Sequence, residues 1–175
     1  MRGLLVGRFQ PFHLGHLAVV QELQGRDPKS ELVLGVGSAQ ASFTWLDPFT
    51  AGERLEMIAR ALEEARVPRV RSIPLPDIGR HALWVAHVES LVPPIDVVFT
   101  NNPLTQTLFE RARYKVENPP LYDRARFQGS VIREQMATGG PWAQAVPSPV
   151  ARYLEEIQAV PRIKMLRTST LPERS

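Results

Sequence analysis

The residues best suited to chemistry lie within ten positions, Gly7-Arg8-Phe9-Gln10-Pro11-Phe12-His13-Leu14-Gly15-His16. Leu4-Leu5-Val6 before them reads as a short buried strand, and Leu17 to Leu23 after them reads as a helix. Two imidazoles, an arginine and a glycine therefore meet at a strand-to-helix turn. Helix N-termini leave backbone N–H groups unpaired and carry partial positive charge, so such a turn holds anions, phosphate above all. His13 and His16, three residues apart, can both donate to one phosphate group, and Gly15 removes a side chain that would block approach to the backbone. Either histidine alone would read as an ordinary structural residue; the pair in this loop does not. Zinc is a poorer reading, because it takes three or four protein ligands, cysteine is absent, and His81 and His87 are the only other histidines.

Strand-like and helix-like segments alternate along the rest of the chain. The pattern predicts a helix from Gly15 to Leu23, a buried strand from Glu31 to Gly37, a loop from Ser38 to Pro48 and a helix from Thr50. Thr50 and Glu53 have capping-box spacing, and Leu55, Ile58, Ala59 and Leu62 mark one face of that helix. A strand at Val70 to Ile73, a helix from Ala82 to Leu91 and a strand at Val97 to Thr100 follow, with Pro93-Pro94 stopping the helix. A helix from Leu104 to Ala112, a strand at Tyr114 to Glu117, a helix from Ser130 to Met136 and a helix from Pro149 to Ala159 complete the reading. The stretch after Leu166 reads as a polar, frayed tail. This alternation implies a doubly wound parallel sheet with helices on both faces and a C-terminal helical segment. Ligands of such sheets bind beyond the carboxyl ends of the strands. Arg8 to His16 after the first strand and Thr100 to Pro103 after the fourth both belong on that edge.

The bulk properties suit one domain. The chain has 175 residues, 43% hydrophobic and 22% charged, and a net charge of +3. No basic run or basic–aromatic interleaving points to nucleic acid. No apolar run reaches the ~18 residues that would span a membrane, and no long apolar segment at the N-terminus marks a signal peptide. Thiolate chemistry and disulfides are excluded, and a cytoplasmic setting is expected. Only Lys29, Lys115 and Lys164 are lysine among 21 basic residues, a bias that suits bidentate phosphate contact and that base composition would equally explain.

Taken together, the motifs resemble those of the archaeal-type nicotinamide-nucleotide adenylyltransferases, in the nucleotidylyltransferase superfamily with the His-x-Gly-His signature. The stretch at 7–16 resembles the family's first motif in full. Gly37-Ser38-Ala39-Gln40 and Asp47-Pro48-Phe49-Thr50-Ala51-Gly52-Glu53-Arg54 are similar to the next two. Asp77-Ile78 with Ala82-Leu83-Trp84-Val85 resembles the nicotinamide-side segment, and Asn102-Pro103-Leu104 and Gly129-Ser130-Val131-Ile132-Arg133 complete the series. The likeness runs from residue 2 to about 165, so a single Rossmann-like domain over 1–166 and a tail over 167–175 are expected.

The resemblance implies transfer of AMP from ATP to nicotinamide mononucleotide (NMN), giving NAD and pyrophosphate. It implies His13, His16, Arg8 and Arg133 as catalytic residues, and Gly7, Arg8, Phe9, His13, Gly15, His16, Ser130 and Arg133 as the ATP site. It places NMN on Trp84, His81, Asn102 and Asp77, with Trp84 stacking on the nicotinamide ring. Mg2+ is expected on the substrate phosphates with no protein metal ligand, and a homo-oligomer, a hexamer by the family pattern, is implied. Several of these residues have plainer readings. Trp84 would also suit a core position, Asn101 and Asn102 a turn, Ser130 an N-cap, and Asp47-Pro48-Phe49 a turn into a capped helix. Glu53 and Arg54 read as support for helix start and packing.

Two positions depart from the family. The last motif usually reads Ser-Gly-Thr and here is Gln128-Gly129-Ser130; the residue before Ala-Leu-Trp is usually Asn and here is His81. Adenylyl transfer to nicotinic acid mononucleotide, flavin mononucleotide or phosphopantetheine would use the same phosphate site, and a non-catalytic nucleotide sensor would share the fold. A class I tRNA synthetase fragment fails for want of length and of a Lys-Met-Ser-Lys-Ser signal.

Overall fold

The computed structural model describes residues 1–27 and 29–170. Five strands form one sheet: β1 (Arg2–Gly7), β2 (Glu31–Gly37), β3 (Val70–Leu75), β4 (Val97–Phe99) and β5 (Lys115–Glu117). Their order is β3-β2-β1-β4-β5 and every pair is parallel. The connections are α1 (Leu14–Arg26), α2 (Ala51–Glu64), α3 (His81–Leu91) and α4 (Pro103–Arg111). After β5 come α5 (Gly129–Thr138), a 3₁₀ turn at Trp142–Ala145, α6 (Ser148–Glu156) and α7 (Ala159–Thr170). The expected doubly wound architecture is the one observed.

Strand alternation builds two cores. On β1, Leu5 faces one side and Leu4 the other; on β2, Leu32, Leu34 and Val36 oppose Val33; on β4, Val97 and Phe99 oppose Val98. The larger core lies against residues of α1, α2, α5, α6 and α7, the smaller against Val88 of α3 and Phe109 of α4. The chain winds outward from β1 through β2 to β3, then crosses to β4 and winds the other way. The switch point is therefore the gap between β1 and β4, where an open parallel sheet leaves a crevice at its carboxyl edge.

Four local readings change. The buried face of α2 is Arg54, Met57, Ile58, Ala61 and Leu62; Leu55 is only partly covered and Ala59 is exposed. An arginine inside the buried face hid this register from a hydrophobicity pattern. Strand β3 continues through Pro74 to Leu75 because it is a sheet edge, where a missing N–H costs no ladder bond. The single C-terminal helix is two: α6 stops at Glu156 and Gln158 takes a left-handed φ of 54° before α7 begins. Pro161 sits in the first turn of α7, where proline is tolerated. The stretch expected as tail begins inside α7, and residues 171–175 lie outside the described residues.

Candidate active site

Two cavities open at the carboxyl edge of the sheet and share Arg8 as a wall residue. The first, about 300 Å³, is lined by Arg8, Phe9, His13, Gly15, His16 and Arg133, with Tyr122, Arg124, Phe127, Gln128 and Gly129 across from them. The second, about 530 Å³, is lined by Gly7, Arg8, Ser38, Asp77, Arg80, His81, Trp84 and Asn102, among others.

The histidines do more than sit at the turn: they cap α1. His13 is the N-cap, and its Nδ1 accepts the His16 N–H at 3.3 Å while His16 Nδ1 accepts the His13 N–H at 3.2 Å. This is a capping box made of two imidazoles. The rings stack with centroids 3.5 Å apart, and His16 also packs on Phe9 and Phe12. Burial lowers the His13 pKa to about 4. Burial, with repulsion from His13, holds His16 well below the usual imidazole range. Both rings are neutral at pH 7, and since each Nδ1 accepts, each proton sits on Nε2. The pair therefore presents two fixed Nε2–H donors, dipoles rather than charges. The N–H groups of Leu14 and Gly15 have no carbonyl to bond within the helix and add further donors.

The charge comes from arginines. Arg133 is buried on α5, donates from Nη1 to Gln10 O at 2.7 Å, and has a buried Nε with no partner among the described residues. Burial, assisted by repulsion from Arg8, lowers its pKa to about 10, so it stays cationic at neutral pH. Arg8 is the exposed counterpart, with Asp47 Oδ1 at 3.7 Å from its Nη1. Helix α5 starts at Gly129 from the N-cap Gln128, with no side-chain cap, and both of these residues line the same cavity.

Ser130 is the second residue of α5, exposed, and not its cap. The cavity wall there is Gln128, Gly129 and Arg133. Gly7 lines the second cavity and not the first; a Cβ there would fall 2.8 Å from the Phe9 ring. Gly15 is required by packing: a Cβ would lie 2.9 Å from Phe127 Cβ and 3.2 Å from the His13 ring.

The second cavity gathers Trp84, His81, Asn102 and Asp77 from three separate segments. Trp84 is half-buried and meets Phe109 edge-on at 5.8 Å, so the ring is anchored in the smaller core while lining the cavity. Asn102 caps α4 by accepting the Thr105 N–H at 3.0 Å. Asp77 is clasped by Gln40, whose Nε2 donates to Oδ2 at 3.1 Å and whose Oε1 accepts the Asp77 N–H at 2.8 Å. His81 is the exposed first residue of α3, whose N-cap Arg80 makes no side-chain cap bond.

Two residues hold these groups in place: Arg54, in the supporting role its position suggested, and Gln10, which sequence reasoning missed. Arg54 is fully buried, and its guanidinium donates to the carbonyls of Arg8 (2.9 Å), Gly37 (2.8 Å), Ser38 (3.1 Å) and Thr50 (3.2 Å). It ties the ends of β1 and β2 to the start of α2. The Gln10 side chain brackets Phe49, accepting its N–H and donating to its carbonyl, both at 3.0 Å. A polar residue inside an otherwise apolar helix face was the available signal for Arg54. Gln10 gave none, since its partner is 39 residues away.

Among the described residues no group of three or more histidine, aspartate or glutamate side chains converges to hold a metal ion, and no helix is long and apolar enough to cross a membrane. A cytidylyltransferase-like family model matches residues 4–135. The chain is 48% identical over 170 residues to the nicotinamide-nucleotide adenylyltransferase of Archaeoglobus fulgidus, covering 94% of this chain and 96% of that one. It is 47% identical over 163 residues to the Methanothrix thermoacetophila enzyme of the same name (93% and 94% covered) and 44% identical over 168 residues to that of Thermoplasma acidophilum (96% and 93%). The chain belongs to the nicotinamide-nucleotide adenylyltransferase family. Its fold matches a crystal structure of a bifunctional NMN adenylyltransferase/ADP ribose pyrophosphatase from Francisella tularensis, with a TM-score of 0.78 at 19% identity over 95% of this chain. A second structure of that protein, complexed with AMP and a manganese ion, matches with a TM-score of 0.75. This chain spans about half the length of those two, covering 52% of each.

Proposed function

We propose that this chain transfers the adenylyl group of ATP to nicotinamide mononucleotide, giving NAD and pyrophosphate. The observation that carries the reading is the shared wall: Arg8 lines both a phosphate-type cavity and a larger, aromatic-lined one at the switch point of the sheet. Two anionic substrates brought in from either side would meet at that guanidinium. The relatives' names supply the identity of the acceptor.

The triphosphate occupies the first cavity, against His13 and His16 Nε2–H, the N-terminus of α1, Arg133 and the start of α5. An oxygen of the NMN phosphate attacks the α-phosphorus in line; the new P–O bond forms as the bond to the β-phosphate oxygen breaks and pyrophosphate departs. That oxygen is already anionic at neutral pH, so no strong base and no covalent protein intermediate are required. Catalysis is positioning plus stabilisation of charge moving onto pyrophosphate. The neutral histidines suit this role, because fixed dipoles stabilise developing charge without holding the product as a permanent ion pair would. Mg2+ carried on the triphosphate oxygens would neutralise part of its charge. The second cavity takes NMN, its ring against Trp84 and its polar groups near His81, Asn102 and Asp77. A homo-oligomer, hexameric by the family pattern, and a cytoplasmic setting belong to the same proposal.

The test is incubation with ATP, Mg2+ and a panel of acceptors: NMN, nicotinic acid mononucleotide, flavin mononucleotide and phosphopantetheine. Pyrophosphate release and NAD formation with NMN are expected. Release with none of the acceptors would leave a nucleotide sensor.

A further inference from the structure

Asp47, in the Asp-Pro-Phe turn, has no part in the proposed reaction, yet its carboxylate stands beside Arg8. Its backbone is fully committed to the turn: its N–H donates to Thr44 Oγ1 at 3.0 Å and its carbonyl accepts the Thr44 N–H at 3.3 Å. The following residues are pinned from both sides. Arg162 of α7 donates to Pro48 O at 3.3 Å and forms a two-pronged ion pair with Glu53, 2.7 Å on each arm, while Gln10 brackets Phe49. The carboxylate itself is only 14% exposed, and its Oδ1 is buried without a hydrogen-bond partner among the described residues. Arg8 Nη1 stands 3.7 Å away, inside ion-pair range and outside hydrogen-bond range. Arg54 and Arg133 also lie within electrostatic reach of this carboxylate. Three guanidiniums around one carboxylate oppose a cation there, so the free oxygen is not a metal ligand.

The two ends of this pair differ in freedom. Asp47 is fixed in a pinned turn, whereas the Arg8 side chain is 54% exposed and lines both cavities. We propose that Asp47 is an internal counter-ion for Arg8: it holds the guanidinium when the phosphate cavity is empty, yields it to the polyphosphate, and takes it back as pyrophosphate leaves. Asp47 is thus a positioning residue that acts through Arg8 and sets the affinity for polyphosphate. A competitor that binds only the free state lowers apparent affinity by the fraction of Arg8 it holds. The gain is release: without the competitor, Arg8 would keep hold of the product. This inference rests on the first cavity being the polyphosphate site.

The experiment titrates inorganic pyrophosphate with Mg2+ into the wild type, Asp47→Asn, Arg8→Ala and the double variant, by calorimetry, alongside steady-state kinetics. Asn matches the shape of Asp, and the Asp47 side chain makes no hydrogen bond that the turn depends on. Asp47→Asn is expected to bind pyrophosphate about threefold to tenfold more tightly, with KM for ATP and kcat both lowered. In the Arg8→Ala background the same change should leave affinity within about twofold. A merely structural role would raise KM and weaken pyrophosphate. Unchanged or weaker binding by Asp47→Asn overturns the proposal, as does equal tightening in the Arg8→Ala background, which would mark a general field effect. If the wild type binds no pyrophosphate, the polyphosphate reading of the cavity fails, and this inference fails with it.

Discussion

The two cavities are built in opposite ways. The first is made of groups already bonded to one another: histidines that cap their own helix, an arginine held by Gln10 and a glycine closed in by Phe127. The second is larger and lined in part by exposed residues at element starts, His81 and Asn102 among them, with Trp84 and Val6 packed against the smaller core. Both sit on the same sheet edge and share Arg8. The difference matches the role proposed for each. A site that stabilises a moving charge must be fixed before substrate arrives, since reorganisation during reaction costs the stabilisation it offers. A site that recognises a base and a ribose gains from room and from contacts made on binding.

This contrast can be broken by substitution, beginning where the effect should be greatest. His16→Ala is expected to lower kcat about 10²–10³-fold, the cost of one lost donor at an oxyanion-type site. It should also destabilise the chain by about 1 kcal/mol, because the same side chain caps α1. Single-turnover kinetics with a melting curve separates the two; near-normal turnover would remove His16 from the proposed chemistry. The next effect is on stability and pH. Burial lowers the His13 pKa to about 4 against an unfolded value near 6.5, so between those limits the unfolded state binds more protons and stability falls as pH falls. The loss should approach about 3 kcal/mol at the acid end and be absent above pH 6.5. His13→Asn keeps a good N-cap and removes the titration, so its melting temperature should slope less steeply over this window.

Gly15→Ala should cost about 1–3 kcal/mol in chemical denaturation, since its Cβ meets Phe127 Cβ at 2.9 Å. Trp84→Ala should raise KM for NMN about tenfold and leave pyrophosphate affinity unchanged, a stacking loss of ~1.4 kcal/mol. Comparable loss at both cavities would instead mark Trp84 as support for the sheet through Phe109. The smallest effect belongs to His81→Ala. With its side chain exposed and capping nothing, stability should stay within ~0.5 kcal/mol, and any change should fall on NMN alone.

Much of the site was legible because its parts follow local rules. Leu4-Leu5-Val6, the histidine turn and Leu17 to Leu23 announce strand, loop and helix in order, and the Thr50–Glu53 capping box formed as its spacing required. The illegible parts depend on partners far along the chain. Ser130 resembles an N-cap locally, yet α5 starts one residue earlier, with Gly129 beside the Gln10 carbonyl. The face of α2 was misjudged because Arg54, polar by type, is buried by carbonyls that β1 and β2 bring to it. The last helix escaped because Gln158 breaks the run with a left-handed turn that no glycine signals.

The sequence by itself determined the alternation of strands and helices, the histidine turn between β1 and α1 and the residue types at each strand end. These follow from periodicity, capping and side-chain chemistry, which act over a few residues. Tertiary structure alone decided that the histidines are neutral, that Arg8 serves two cavities, and that Arg133 of α5 stands across from α1. Those outcomes depend on burial and on contacts across as many as 123 positions, as between Arg133 and Gln10. Desolvation and long-range packing exist only once the chain has folded.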